Sequence, residues 1–134
     1  MRRELEYKAY AVDKMAKSQW IYGFGIDDVQ FTKEYVNKLG RDSDWWLYSK
    51  GGTYLVHQSS VGKFTGLVDI AGQKIYSNHI LEDDEKFLWT IIYKNGAYYA
   101  VCNDLMVCQL LSTVNLHCKI KGNTFEHSDL LESQ

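Results

Sequence analysis

An Asn95-Gly96 pair between two apolar-aromatic runs is the strongest constraint on what this chain can fold into. Phe87 to Tyr93 leads into Lys94-Asn95-Gly96, and Ala97 to Cys102 leads out. Asn and Gly both tolerate positive φ, so the pair makes a tight turn whose twist matches that of paired strands. This segment is predicted to be a β-hairpin. The chain contains no Pro, so every other reversal must also rely on Gly, Asn, Asp and Ser. That rule finds a second hairpin, in which Trp45-Trp46-Leu47-Tyr48 and Thr53-Tyr54-Leu55-Val56 flank Lys50-Gly51-Gly52. Glu4 to Val12 alternates, with Leu5, Tyr7, Ala9 and Ala11 on one face and Glu4, Glu6 and Lys8 on the other. Trp20 to Gly25 reads as its partner strand across a longer loop.

Other segments are less determined. Between Asp27 and Lys38, the positions of Val29, Phe31, Tyr35 and Val36 fit an irregular strand or a helical turn equally well. Asp104 to Leu111 carries Leu105, Met106, Cys108, Leu110 and Leu111, which predicts a short helix capped near Asn103 or Asp104. A last strand is expected from about Asn115 to Lys121, and one helical turn over Ser128–Leu131. Ten Tyr and four Trp favour strands or an aromatic contact surface over a helical bundle. The predicted fold class is mainly β (β-rich α+β), built as small curled sheets or barrel-like lobes with one or two short helices. A single domain spanning 1–134 is expected, with an aromatic N-terminal lobe over about 1–60 and a small-barrel-like lobe over about 61–134.

The two lobes meet at Val61-Gly62-Lys63-Phe64-Thr65-Gly66-Leu67-Val68-Asp69-Ile70-Ala71-Gly72-Gln73-Lys74-Ile75-Tyr76. Here a strand-like run passes through an Asp/Gly turn into a second run. Phe64, Leu67, Ile75 and Tyr76 are expected to pack, while Gly66, Asp69 and Gly72 supply turn chemistry.

Four separated patches, Tyr7-Lys8-Ala9-Tyr10 with Asp13, Trp20-Ile21-Tyr22-Gly23, the Val61–Tyr76 stretch, and Ile120-Lys121-Gly122-Asn123 with Phe125 and Asp129-Leu130-Leu131, resemble the YopX family of small bacteriophage and prophage proteins. The third is the most specific, similar to Val-Gly-Gln-aromatic-Thr-Gly-Leu-x-Asp-x-x-Gly-x-x-Ile-aromatic. The resemblance implies a mainly β fold, phage origin, a small accessory role and no established enzymatic activity. One departure follows the signature. Where the family has Glu-Gly-Asp-Ile, this chain has Ser77-Asn78-His79-Ile80. Asn substitutes best for Gly at positive φ, so the turn is expected to persist, whereas any role for the family's carboxylate at position 79 does not carry over.

The chemistry-bearing residues form no recognisable catalytic set. Cys102, Cys108 and Cys118, with His79, His117 and His127, match no ordinary zinc spacing, and the thiols read as reduced core residues. No Gly-flanked nucleophile motif is present. Gly23-Phe24-Gly25 and Gly51-Gly52 do not join a strand to a helix as a phosphate loop must. Asp27-Asp28 reads as solvated acids. No enzymatic activity, metal or cofactor is therefore expected. The net charge of −2 shows no basic stripe for nucleic acid. The start Met1-Arg2-Arg3-Glu4 lacks a signal-peptide run, and no window reaches the roughly 18 apolar residues of a membrane span. A soluble protein in the cytoplasm of the bacterial host is expected, with no membrane partner.

The surplus is aromatic and acidic. Trp20, Tyr22 and Phe24 share a face by period 2, whereas Trp45 and Trp46 point to opposite faces, one toward the core and one outward. Glu82-Asp83-Asp84-Glu85 forms a compact acidic loop before Lys86. The candidate interaction residues are Trp45, Trp46, Asn78, His79, Glu82, Asp83, Asp84 and Glu85. The expected partner is a host or phage protein, such as a host factor that the chain modulates or inhibits. A small β-barrel binding nucleic acid in phage DNA or RNA handling is the alternative, and a homodimer is compatible with the aromatic edges.

Overall fold

The computed structural model describes residues 5–132 and is mainly β, with every strand pairing discussed below antiparallel and only short helices. Glu4, expected at the start of the first strand, lies outside the described residues, as does the basic pair Arg2-Arg3. The chain divides into two compact units, Leu5–Val61 and a second that begins at Gly62.

In the first unit, β1 (Tyr7–Tyr10) pairs with β2 (Trp20–Gly23), with Tyr7 opposite Gly23 and Tyr10 opposite Trp20. β3 (Gly25–Gln30), β4 (Ser43–Ser49) and β5 (Gly52–Val56) form a three-stranded sheet in the order β3-β4-β5. The ambiguous Asp27–Lys38 region proves to be both strand and helix. β3 ends at Gln30, and α1 (Lys33–Leu39) starts after Thr32, whose hydroxyl accepts from the Tyr35 amide at 3.5 Å. Gly40, at φ 74°, closes α1 with its N–H on the Val36 carbonyl. No residue of α1 is buried. The core consists of Ala9, Leu47 and Val56, with Tyr7, Ile21, Ile26, Trp45, Tyr54 and Val61 packed around them. Lys8 departs from its expected place on the polar face of β1. It is 8% exposed, with its ammonium 4.7 Å from the centre of the Trp20 ring, because a cation over an indole face can remain charged where little water reaches it.

In the second unit, β6 (Gly62–Val68) pairs with β7 (Lys74–Tyr76). The chain continues through β8 (His79–Asp83), β9 (Leu88–Lys94), β10 (Ala97–Cys102) and β11 (Val107–Leu110). The short helix α2 (Leu111–Val114), β12 (Cys118–Asn123) and α3 (Asp129–Glu132) follow. Five of these strands make a sheet ordered β11-β10-β9-β8-β12. The Asn95-Gly96 turn joins β9 to β10 as expected, with φ of 50° at Asn95 and 83° at Gly96. Ile75, Leu81, Trp89, Ile91, Ala100, Cys102, Leu111, Val114 and Cys118 form the core.

Four expectations are corrected here. The helix predicted over Asp104–Leu111 is a turn followed by β11, and α2 begins only at Leu111. Met106 takes φ 52° and donates its N–H to the Asn103 carbonyl at 3.1 Å, so the chain reverses and β11 pairs with β10. Leu105 and Met106 are exposed, so the apolar spacing that suggested a helix has no core to face. The last strand starts at Cys118, after a 3-10 turn over Asn115–His117. Cys108 is exposed, whereas Cys102 and Cys118 are core thiols. Asn78 is not among the positive-φ residues, so its suitability for left-handed backbone is not what holds it in place.

Candidate functional site

The signature stretch builds a buried polar knot. Gly66 and Gly72 have φ of 87° and 81°, and between them the chain turns around Asp69, which is 1% exposed. Asp69 Oδ1 accepts the amides of Ala71 and Gln73, each at 2.9 Å, and Oδ2 accepts the amide of Ile120 in β12 at 3.0 Å. The Ile70 amide donates to the Cys118 carbonyl, and Asn115 Nδ2 donates to the Val68 carbonyl at 2.7 Å. One carboxylate therefore satisfies three amides, two in its own turn and one on β12, and this role requires no catalysis.

Asn78 and His79, where the chain departs from the family pattern, are both buried. His79 Nδ1 accepts the Tyr76 amide at 2.9 Å, and its ring meets Tyr76 edge-on at 5.7 Å. An accepting Nδ1 carries no proton, so the ring is held as the Nε2–H tautomer. The Asn78 carbonyl accepts the Thr124 amide at 2.8 Å. Its side chain lies against Gly62, where an added Cβ would come within 2.5 Å of Oδ1 and 2.7 Å of Cγ. The two residues brace the unit and are not displayed to a partner.

The acidic segment is likewise divided. Asp83 Oδ1 accepts the amides of Glu85 and Phe87, each at 2.9 Å, and Oδ2 accepts Trp89 Nε1 at 3.0 Å. Glu82 lies 3.8 Å from Lys86 and 3.6 Å from Lys121. Asp84 and Glu85 stand in the solvated turn. Burial pushes the Cys118 thiol up to about 11, with Asp83 and then Asp84 adding to the shift. Among the described residues no group of three or more His, Cys, Asp or Glu could hold a metal ion. No helix among them is long and apolar enough to cross a membrane.

The tryptophan pair does split. Trp45 packs into the first core, and its buried Nε1 has no hydrogen-bond partner among the described residues. Trp46 shares the opposite face of β4 with Tyr48, across from Asp27 and Gly25 on β3. Tyr22 and Phe24 flank Gly23, whose Cα sits so close to the Tyr48 carbonyl that no Cβ would fit. The Phe24 amide donates to that same carbonyl at 2.9 Å. Tyr22 is 48% exposed, Phe24 58% and Tyr48 37%. The Tyr48 hydroxyl donates to Asp27 Oδ2 at 3.3 Å, and the neighbouring Asp27 charge raises its pKa. Reading residues singly found Trp46, Tyr22 and Phe24 but not Tyr48; period 2 along β4 sets Tyr48 on the face of Trp46, and the β3–β4 register brings Asp27 to its hydroxyl. On the other side of β4, a concavity of about 440 Å³ is lined by Val12, Arg41, Asp44, Trp45, Leu55 and His57 among others. Arg41 is committed there to Asp44 at 2.7 Å, which raises the guanidinium pKa still further.

No curated protein matches the chain. The family model described as YopX protein matches residues 6–132, and with nearly the whole length covered, the chain belongs to the YopX family.

Proposed function

We propose that this chain is a non-enzymatic phage or prophage accessory protein that acts by protein–protein contact on a host factor in the bacterial cytoplasm. The observation that carries the reading is the set of exposed aromatic side chains in the first unit, Tyr22, Phe24 and Tyr48, the last on the same face of β4 as Trp46. Tyr and Trp contribute large contact area at low entropic cost and dominate interface hot spots. Asp27 lies on the face that Trp46 and Tyr48 share, which favours a partner with a cationic rim and disfavours nucleic-acid phosphate. Asp69, the buried carboxylate among the described residues, and His79, the buried histidine, each hold backbone amides, which supports a structural reading of both.

Affinity capture from host lysate tests the reading, with the wild type compared against a Tyr22→Ala/Phe24→Ala variant. A single protein captured in stoichiometric amount and lost with the variant is the expected result. No stoichiometric protein, or one retained equally by the variant, would count against it. Retention of single- or double-stranded oligonucleotides at low salt would transfer support to a nucleic-acid role.

A further inference from the structure

Strand β3 forms one edge of the three-stranded sheet, and among the described residues β4 is its only strand neighbour. The ends of β3 set the phase of its hydrogen bonds. The Phe31 amide donates to the Asp42 carbonyl, one step beyond the pair Gln30–Ser43. Antiparallel pairs alternate between bonded and non-bonded, so Gly25, Asp27 and Val29 are the β3 residues whose backbone bonds to β4. At the other end the Phe24 amide reaches the carbonyl of Tyr48, the residue opposite Gly25, as in a bulge of the same phase. The N–H and C=O groups of Ile26, Asp28 and Gln30 therefore point away from the sheet. Gln30 Nε2 donates to Asp28 Oδ2 at 2.7 Å, a side-chain bond that leaves these backbone groups open.

The side chains along this edge select what can pair with it. Asp27 and Val29 stand on the outer face with Trp46 and Tyr48, whereas Ile26 and Asp28 stand on the face that carries the core. Asp27, Asp28 and Val29 are exposed, and the Tyr48 hydroxyl donates to the Asp27 carboxylate at 3.3 Å. The residues opposite the two acids on β4 are Trp46 and Trp45, so neither acid meets a base across the strand pair. A second copy of β3 would bring acid against acid, which is how charge on an edge prevents self-pairing. A strand with adjacent bases would instead place opposite charges in direct cross-strand pairs.

We infer that β3 takes an extended segment of a partner protein as a fourth strand, one that reads apolar-basic-basic-apolar. Such a segment complements Ile26-Asp27-Asp28-Val29 position by position when it lies antiparallel. Its backbone bonds to Ile26, Asp28 and Gln30, its Lys or Arg pair meets Asp27 and Asp28, and its apolar residues lie against Ile26 and Val29. Main-chain bonds supply affinity in this mode, and the side chains of the added strand supply specificity. The inference rests on the protein-contact reading above and adds the backbone edge by which the partner is held.

Amide hydrogen exchange with the end-capped peptide Thr-Val-Lys-Lys-Val-Thr tests the pairing. With the peptide at about ten times its Kd, the amides of Ile26, Asp28 and Gln30 should exchange about ten-fold more slowly. The Glu-Glu counterpart should give no protection, and neither should the Lys peptide N-methylated at its first Lys and second Val, an arm that needs no variant. Asp27→Lys/Asp28→Lys should transfer binding to the Glu-Glu peptide. No binding up to about 1 mM, equal protection by the two peptides, protection that survives N-methylation, or a variant that still prefers Lys overturns the inference. Spectral shifts confined to the rings of Trp46 and Tyr48 overturn it too, while leaving the protein-contact reading standing, since that reading falls with the lysate capture alone.

Discussion

The first unit buries few polar side chains, Lys8 and Ser60 among its described residues, whereas the second buries Asp69, Asn78, His79, Asn115 and Asn123. The second unit uses side chains to satisfy backbone amides where its loops leave the sheet, so its turns are fixed as firmly as its strands. The first unit leaves aromatic rings on its surface and a helix with no buried residue. The difference teaches where to expect each kind of mutational effect. Changes after Gly62 should be read as stability, and changes at Tyr22, Phe24, Trp46 or Tyr48 as binding.

The largest stability effect is expected from Asp69→Ala, which orphans the amides of Ala71, Gln73 and Ile120. Loss of about 3–5 kcal/mol is predicted by urea unfolding, since each buried unpaired amide costs about 1–3 kcal/mol. A loss no larger than that of a surface substitution would break the comparison. Next is Gly62→Ala, predicted to cost roughly 1–3 kcal/mol through overpacking on Asn78. Combining it with Asn78→Gly should recover part of that cost, and a double-mutant cycle measures the coupling. Additive effects would show that the two side chains do not meet.

The pH dependence gives a third check. The folded-state pKa of Cys118 is raised from 9.0 to about 11, so the unfolded state loses this proton first as pH rises. The stability contribution of the protonated thiol is therefore fully present below about pH 9 and lost as pH rises toward about 11. The urea midpoint of the wild type should fall more steeply across that window than that of Cys118→Ala. The smallest stability effect belongs to Tyr22→Ala/Phe24→Ala, expected within about 0.5 kcal/mol per substitution despite loss of partner capture.

Much of the fold was legible because it rests on local rules. Asn95-Gly96 and Lys50-Gly51-Gly52 mark their hairpins by turn chemistry alone, and Gly66, Asp69 and Gly72 were identified as a turn. What the turn does was not legible, because the third bond of Asp69 goes to Ile120, 51 residues away. The same limit hid the role of Asn78, which is set by contact with Gly62 and not by its own φ. Asn103–Met106 misled because Leu105 and Met106 carry helical spacing yet face solvent. Pairing with β10, a tertiary effect, decided that segment. On the surface side, period 2 puts Trp46 and Tyr48 on one face of β4, but the place of Asp27 opposite Trp46 required the β3–β4 register.

Amide hydrogen exchange tests the central claim most directly, because it reads the locking of the second unit's turns residue by residue. The amides of Ala71, Gln73 and Tyr76, held by the Asp69 and His79 side chains, should exchange as slowly as those paired between β9 and β10, while the amides of α1 exchange far faster. Exchange at Ala71, Gln73 and Tyr76 as rapid as in α1 would contradict it.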